Sequence, residues 1–207
     1  MNQHYSESQG LHLNYSIIAE LIERGATVLD LGCSDGSLLK MLKNKKIMAR
    51  GIEIDQDSVI KALEKGLSVI QGDIDEGLHE YPEKFYDYVI LNQTLQSTEK
   101  PEYVIHEMLR VGKKVVVSFP NFGYWRVRLS LLFKGKMPKS KMLPFEWHNT
   151  PNIHLLTIQD FYDFANLNGI NIEKIICMTR AKVRKNILHE ITDNFFAEEV
   201  IFVISKK

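Results

Sequence analysis

The residues best placed to do chemistry lie in one short run, Val28-Leu29-Asp30-Leu31-Gly32-Cys33-Ser34-Asp35-Gly36-Ser37. An acidic residue near the end of an apolar strand, followed at once by closely spaced glycines, suits a small ligand bearing cationic and hydroxyl groups. Glycine lets the backbone approach such a ligand without a Cβ in the way. A helix opening at Ser37 adds unpaired N–H groups beside the turn. A dinucleotide fingerprint needs G-x-G-x-x-G; of the three positions, Gly32, Ser34 and Ser37, only the first fits. A nucleophile elbow needs G-x-S-x-G, and Gly32-Cys33-Ser34-Asp35-Gly36 matches it letter for letter. Elbows, however, sit on a strand late in the sheet, and here no earlier strands could build an oxyanion loop. The third candidate is an acidic residue followed by G-x-G-x-G, with Asp30, Gly32 and Gly36 in place and Ser34 for the middle glycine. A strand–helix turn that binds nothing stays open beside these.

Other polar groups recur at matching positions. In an open α/β sheet, ligands bind beyond the carboxyl ends of the strands. Asp30, Glu53, Asp73 and Asn92 stand at four such expected ends. Glu53 lies about twenty residues past the glycine turn, the spacing of a carboxylate that accepts both hydroxyls of a ribose. Asp73 could accept from an adenine amino group. Each alone reads equally as a solvated turn carboxylate; together, in sheet order, they argue for one site. Asp55, Asp57 and Asp75 read as caps and turns.

These residues need elements to hold them. The segment through Arg24 carries Ile17, Ile18, Leu21 and Ile22 on one helical face, with Gly25 to end it. After the glycine turn, a helix places Leu38, Leu39 and Leu42 inward and Lys40, Lys43 and Lys45 outward. Ile47 to Ile54 reads as a second strand, then a helix with Val59, Ile60 and Leu63 capped by Asp55 or Asp57. Leu67–Ile70 is a third strand and Phe85–Leu91 a fourth. Pro101 opens a helix with Val104, Met108 and Val111 on one face, and Val115–Phe119 is a fifth strand, stopped by Pro120. Strands alternating with helices mean βαβ units and a mostly parallel sheet.

Past Pro120 the rhythm breaks. Trp125, Leu129, Leu132 and Phe133 mark an amphipathic helix, followed by an irregular loop with Pro138, Pro144 and Pro151. Thr157 and Asp160 resemble a capping box for a helix bearing Phe161, Phe164 and Ala165, which Gly169 ends. Ile170–Met178 and Val200–Ile204 read as the last strands.

The totals narrow the function classes. A length of 207 residues makes one domain, 1–207, the default reading. With 26 basic and 26 acidic residues, no whole-molecule field draws the chain to nucleic acid or a membrane. Cys33 and Cys177 form neither a metal spacing nor a disulfide framework, which fits a reducing cytoplasm. No run has the length of a membrane span, and Met1–Tyr5 lacks the features of a signal peptide.

Asp30-Leu31-Gly32, Gly51-Ile52-Glu53, Gly72-Asp73 and Phe85-Tyr86-Asp87-Tyr88-Val89-Ile90 resemble the ordered motifs of class I S-adenosylmethionine (SAM)-dependent methyltransferases. Gln71–Leu78, Val89–Gln96, Val117–Gly123 and Thr150–His154 narrow the resemblance to the methionine biosynthesis protein MetW family, over most of the chain. Members of that family usually carry glycine where this chain has Ser34. The resemblance implies a doubly wound, Rossmann-like α/β domain whose seven-stranded sheet is mostly parallel, with an antiparallel last strand. It implies SAM or S-adenosylhomocysteine as cofactor. Asp30, Gly32 and Gly36 would border its methionine part, Glu53 would hold the ribose, Asp73 the adenine, and Asn92 would lie near the sulfonium, with Ser34 and Ile74 completing the cofactor-binding set. It also implies a role as the partner that homoserine O-acyltransferase needs for acylation.

Enzyme and partner remain competing readings. Methyl transfer from a sulfonium rests mainly on alignment, so the lack of an evident general base decides nothing. A SAM-dependent methyltransferase acting on a small molecule is the alternative function. His148 and His154 lie in the irregular loop, and no catalytic residue is assigned. Tyr124, Trp125, Phe145 and Trp147 could line an acceptor pocket, cover the sheet as core, or dock a partner. Arg126, Arg128, Lys134, Lys136, Lys139 and Lys141 cluster without an intervening acid. That run suits an acidic protein surface or a phosphate-bearing group such as a CoA moiety; no RNA-binding motif accompanies it. Residues 122–156 are therefore expected to face the partner or substrate. The homo-oligomeric state is left open.

Overall fold

The structure is a computed structural model that describes residues 13–140, 143–179, 183–185 and 190–207. Its sheet runs in the order Val69–Gln71, Met48–Glu53, Thr27–Leu31, Tyr86–Asn92, Gly112–Pro120, Glu199–Lys206, Ile170–Met178, Val183–Lys185. The chain separates into two compact units. One runs to Asn92 and adds Glu102–Val116; the other takes Gln93–Pro101 and the chain from Val117 on.

In the first unit, helix α1 (residues 13–21) leads through a turn with Gly25 at φ +82° into β1 (Thr27–Leu31). Then follow α2 (Ser37–Asn44), β2 (Met48–Glu53), α3 (Gln56–Glu64) and β3 (Val69–Gln71). After β3 come a 3₁₀ turn over Ile74–Glu76, β4 (Tyr86–Asn92), α4 (Pro101–Val111) and the start of β5 (Gly112–Pro120). β1 lies between β2 and β4 and is parallel to both, with Asp30 opposite Gly51 and Ile90. Val28, Leu29 and Leu31 are fully buried, as expected of a strand covered on both faces. Asp55 caps α3 by accepting from Ser58 N at 2.9 Å. Val59 and Ala62 are the buried residues of α3, while Ile60 and Leu63 are half exposed. The inward stripe is thus narrower than the apolar spacing predicts.

The second unit holds the end of β5, α5 (Trp125–Lys134), α6 (Ile158–Leu167), β6 (Ile170–Met178), β7 (Val183–Lys185), α7 (Glu190–Phe196) and β8 (Glu199–Lys206). β6 pairs antiparallel with β8 from Ile170–Lys206 to Met178–Glu199, and antiparallel with β7. The seven-stranded, mostly parallel plan with an antiparallel last strand is present, and β7 adds a three-residue edge. Phe119, Phe161 and Phe202 pack together, Phe119 stacked on Phe202 and Phe161 tilted against both, with Phe161 and Phe202 centroids 4.5 Å apart. Thr157 and Asp160 form the full capping box of α6. Asn121 ties the unit together: its Nδ2 donates to Asn194 O and Ala197 O, each at 2.9 Å, and its Oδ1 accepts from Gly123 N and Ile158 N. Helix α5 differs from the amphipathic expectation. Val127 is its buried residue, while Leu132 and Phe133 are 74% and 76% exposed. Among the described residues, no helix is long and apolar enough to cross a membrane.

Candidate functional site at the carboxyl ends of β1 to β4

The parallel register sets the strand ends side by side. Leu31 pairs with Ile52 and with Leu91, and Glu53 with Gln71. Gly32 and Cys33 both donate their N–H to Ile52 O, at 2.8 and 3.2 Å, and Gly72 N donates to Glu53 O at 3.0 Å. Asp30, Glu53, Asp73 and Asn92 therefore come to one edge of the sheet, where the strand order sets them as Asp73, Glu53, Asp30, Asn92.

The turn after β1 has a repeating backbone. Gly32, Ser34 and Gly36 take φ of +66°, +48° and +75°. Every second residue thus sits in the left-handed region, which glycine enters freely and other residues enter at a cost of roughly 1–2 kcal/mol. Ser34 adopts the conformation that a middle glycine would adopt. What fastens it is Glu53: Oε2 accepts Ser34 N at 2.7 Å, and Oε1 accepts Asp55 N at 3.0 Å. The carboxylate is held by two backbone amides and retains acceptor capacity for two more donors. Among the described residues, no histidine is hydrogen-bonded to Ser34, so the spelling of a nucleophile elbow has no base behind it.

Gly36 has a reason internal to the protein. A Cβ there would fall 2.4 Å from Leu67 Cδ1 and 3.2 Å from Ala62 Cβ. Asp35 closes the turn by accepting from Ser37 N at 3.2 Å and Ser37 Oγ at 2.6 Å, and Lys65 Nζ lies 2.6 Å from its Oδ2. Burial disfavours the Asp35 charge, but the hydrogen bonds from Lys65 and Ser37 outweigh it and lower the pKa.

Asp30 is the electrostatic centre. It is 2% exposed. Burial, then the neighbouring charge of Glu53, pushes its pKa up to about 8. Burial likewise raises the Cys33 thiol, helped by the charges of Asp30 and Glu53, so Cys33 is a protonated core side chain rather than a nucleophile. Tyr15 of α1 belongs to this cluster. Burial, and next the charges of Asp30, Asp35 and Cys33, keep its phenol protonated. Nothing in the sequence marks Tyr15, an aromatic residue in the helix that precedes β1. Asp73 is exposed, and its Oδ1 accepts Asp75 N at 2.9 Å as the cap of the 3₁₀ turn that Ile74 opens. Asn92, half-buried, ends β4.

A buried acid held protonated by its surroundings ionises when a positively charged group of a ligand is set beside it. A fixed carboxylate with spare acceptor sites calls for hydroxyls. The residues present therefore fit SAM, whose sulfonium supplies a transferable methyl when bound. Among the described residues, no three His, Cys, Asp or Glu side chains are grouped so as to hold a metal ion.

In the second unit, Tyr124, Val127 and Leu143 form a small core against Phe122 and Trp125. Trp147 is exposed and packs edge-on against His148. The cavity lined by Phe122, Leu143, Phe145 and Trp147 measures about 40 Å³, far below the few hundred Å³ of a metabolite site. The aromatics of residues 122–156 thus divide between core and surface.

Solved structures share this fold. A SAM-dependent methyltransferase of Thermotoga maritima, described as a possible histamine N-methyltransferase, aligns with a TM-score of 0.70 at 15% identity, over 98% of this chain and 92% of that one. A protein of Pyrococcus horikoshii OT3 aligns with a TM-score of 0.69 at 18% identity, over 100% and 92%. At such identities the likeness concerns fold alone. A curated relative, the bifunctional methionine biosynthesis protein MetXA/MetW of Rhodopirellula baltica, is 35% identical over 174 residues. That match takes in 79% of this chain and 28% of the relative, so the chain spans under a third of the relative's length. The profile of the methionine biosynthesis protein MetW family matches residues 12–204, and the chain belongs to that family.

Proposed function

We propose that this protein binds SAM at the carboxyl edge of β1 to β4 and serves methionine biosynthesis as the accessory partner of homoserine O-acyltransferase. The observation that carries the partnership is the relative in which MetXA and MetW share one polypeptide. Joining two parts in one chain is what a functional association favours, because it raises their effective concentration. The exposed face of α5 supports the reading. Leu129, Leu131, Leu132 and Phe133 are all at least 39% exposed, and Arg126 lies over the Trp125 ring at 5.2 Å. Apolar side chains gathered on one helix with aromatic and arginine anchors suit a docking surface. The two buried, unbridged cysteines fit a cytoplasmic protein.

On this reading Glu53 holds the ribose, Asp30 faces the cationic methionine part, Asp73 and Ile74 flank the adenine, and Asn92 borders the sulfonium. Gly32, Ser34 and Gly36 shape the turn. SAM could act there as a signal as well as a substrate. A second reading, methyl transfer to a small molecule, is favoured by one observation. Gln96 Oε1 and His154 Nε2 are buried without a hydrogen-bond partner, in segments joined by the 3.0 Å bond from His154 N to Gln96 O. Calorimetric titration with SAM and S-adenosylhomocysteine, and co-purification with the acyltransferase, test the two halves of the proposal separately.

A further inference from the structure

The opposite edge of the same unit holds a groove that the SAM reading does not use. Its cavity measures about 650 Å³ and is lined by Thr27, Met48, Arg50, Leu67, Phe85 and Tyr86 among others. Thr27, Met48 and Tyr86 are the first residues of β1, β2 and β4. The groove therefore sits at the amino ends of strands whose carboxyl ends carry Asp30 and Glu53. The five residues of β1 span roughly 16 Å between the two edges, so this is a separate place.

Its chemistry is specific. Tyr86 is 4% exposed, yet its hydroxyl is buried without a hydrogen-bond partner. Arg50 faces that phenol at the margin of hydrogen-bond reach, and burial, which raises the phenol's pKa, is opposed by both the charge and the side-chain hydrogen bonding of Arg50. Among the described residues, no carboxylate is ion-paired with Arg50. Lys43, the other cation of the lining, donates to Gly66 O at 2.7 Å. The acid nearest the Thr27 wall, Asp87, is engaged by Thr27 N and Oγ1 at 2.8 and 2.9 Å and by Lys113 at 2.8 Å. The walls are apolar, and Met48 and Phe85 are 67% and 56% exposed. A guanidinium facing a buried phenol, with apolar walls at metabolite volume, defines one ligand class.

We infer that this groove is a second binding site, for a small carboxylate with an apolar or aromatic body, held by Arg50 and Tyr86. Arg50 takes the carboxylate by charge-assisted hydrogen bonds, the Tyr86 hydroxyl donates to the same oxygens, and Met48, Phe85 and Leu67 cover the body.

The test is a ¹H–¹⁵N NMR titration of the full chain with phenylacetate, 2-phenylethanol and 2-phenylethylamine. Phenylacetate should shift the amides of Met48, Ala49, Arg50, Ser68 and Tyr86 saturably. The neutral alcohol should bind about tenfold more weakly, the size of a lost charge-assisted bond, and the amine should not bind. Arg50→Gln should weaken phenylacetate by about tenfold. Tyr86→Phe, which keeps the ring in place, should weaken it several-fold. Both variants should retain the wild-type spectrum elsewhere and unchanged SAM affinity. Three results would each overturn the assignment: no saturable shift at these amides, equal shifts with the alcohol or amine, or phenylacetate affinity unchanged in Arg50→Gln. Failure of the wild-type chain to bind SAM, with phenylacetate binding intact, would instead count against the SAM site alone.

Discussion

Glu53 Oε2 accepts the backbone N–H of Ser34 at 2.7 Å, fastening the turn after β1 to the end of β2. The bond joins a residue with a strained backbone to a residue proposed to touch the ligand. Because Asp55 N occupies the other oxygen, the carboxylate is oriented before any ligand arrives, and ordering it costs little on binding.

Ser34→Gly relieves the left-handed strain at φ +48° and keeps the N–H that Glu53 uses. The substitution should leave stability unchanged or raise it by about 1 kcal/mol, a gain of roughly 2–4 °C in Tm. SAM affinity should hold or improve. Thermal melts and calorimetry read both. A drop in SAM affinity would give the Ser34 hydroxyl a ligand contact that the present account denies it.

Glu53→Ala removes the acceptor of two backbone amides and the proposed ribose anchor. SAM affinity should fall by roughly 1.5–3 kcal/mol, the size of a lost charge-assisted hydrogen bond. Equal affinity in wild type and variant, with Tm followed in parallel, would remove the ribose assignment.

Asp30 makes stability depend on pH. Its native pKa of about 8 lies above the ordinary 3.8. Between those values the native state holds a proton that the unfolded chain has released, so stability falls as pH rises through this window. Asp30→Asn should flatten that slope, gaining on wild type from pH 5 to pH 8 in denaturant titrations. A cationic ligand group favours the ionised form. SAM binding to the wild type below pH 8 should therefore release protons, detectable as heats that vary with the ionisation enthalpy of the buffer. Binding enthalpy independent of buffer would separate Asp30 from the cation.

Asn121 answers four backbone groups with one amide. Asn121→Ala leaves buried donors and acceptors unmet and should cost on the order of 3 kcal/mol. Urea unfolding measures this, and a loss under 1 kcal/mol would show that the unit does not depend on this hub.

The elements legible in the sequence are those set by local chemistry. β1 is an apolar run broken only by Asp30 within it, Asp55 and Thr157 are caps with their partners three residues on, Glu53 ends β2, and Asp73 comes just past β3. What was not legible depends on residues far apart in the chain. Tyr15 reaches the site only because α1 packs near the glycine turn. Gly36 is required by Leu67, a contact that no local pattern encodes. The apolar spacing of α5 announces a helix, but whether Leu132 and Phe133 turn inward depends on what covers them, and they are exposed. α7 and β7 span seven and three residues, too short for periodicity to register.

The partner reading can be tested most directly on α5. Leu132→Asp with Phe133→Asp changes side chains that are 74% and 76% exposed, so stability should move by no more than about 0.5 kcal/mol. Arg126→Ala, also at the surface, serves as an independent probe. The decisive measurement is homoserine acylation by the acyltransferase of the same organism, alone, with the wild-type chain, and with each variant. Wild type should raise the rate, the double variant should fail to do so and fail to co-purify, and SAM affinity should be equal in all three proteins. An acylation rate that the wild-type chain leaves unchanged would contradict the account.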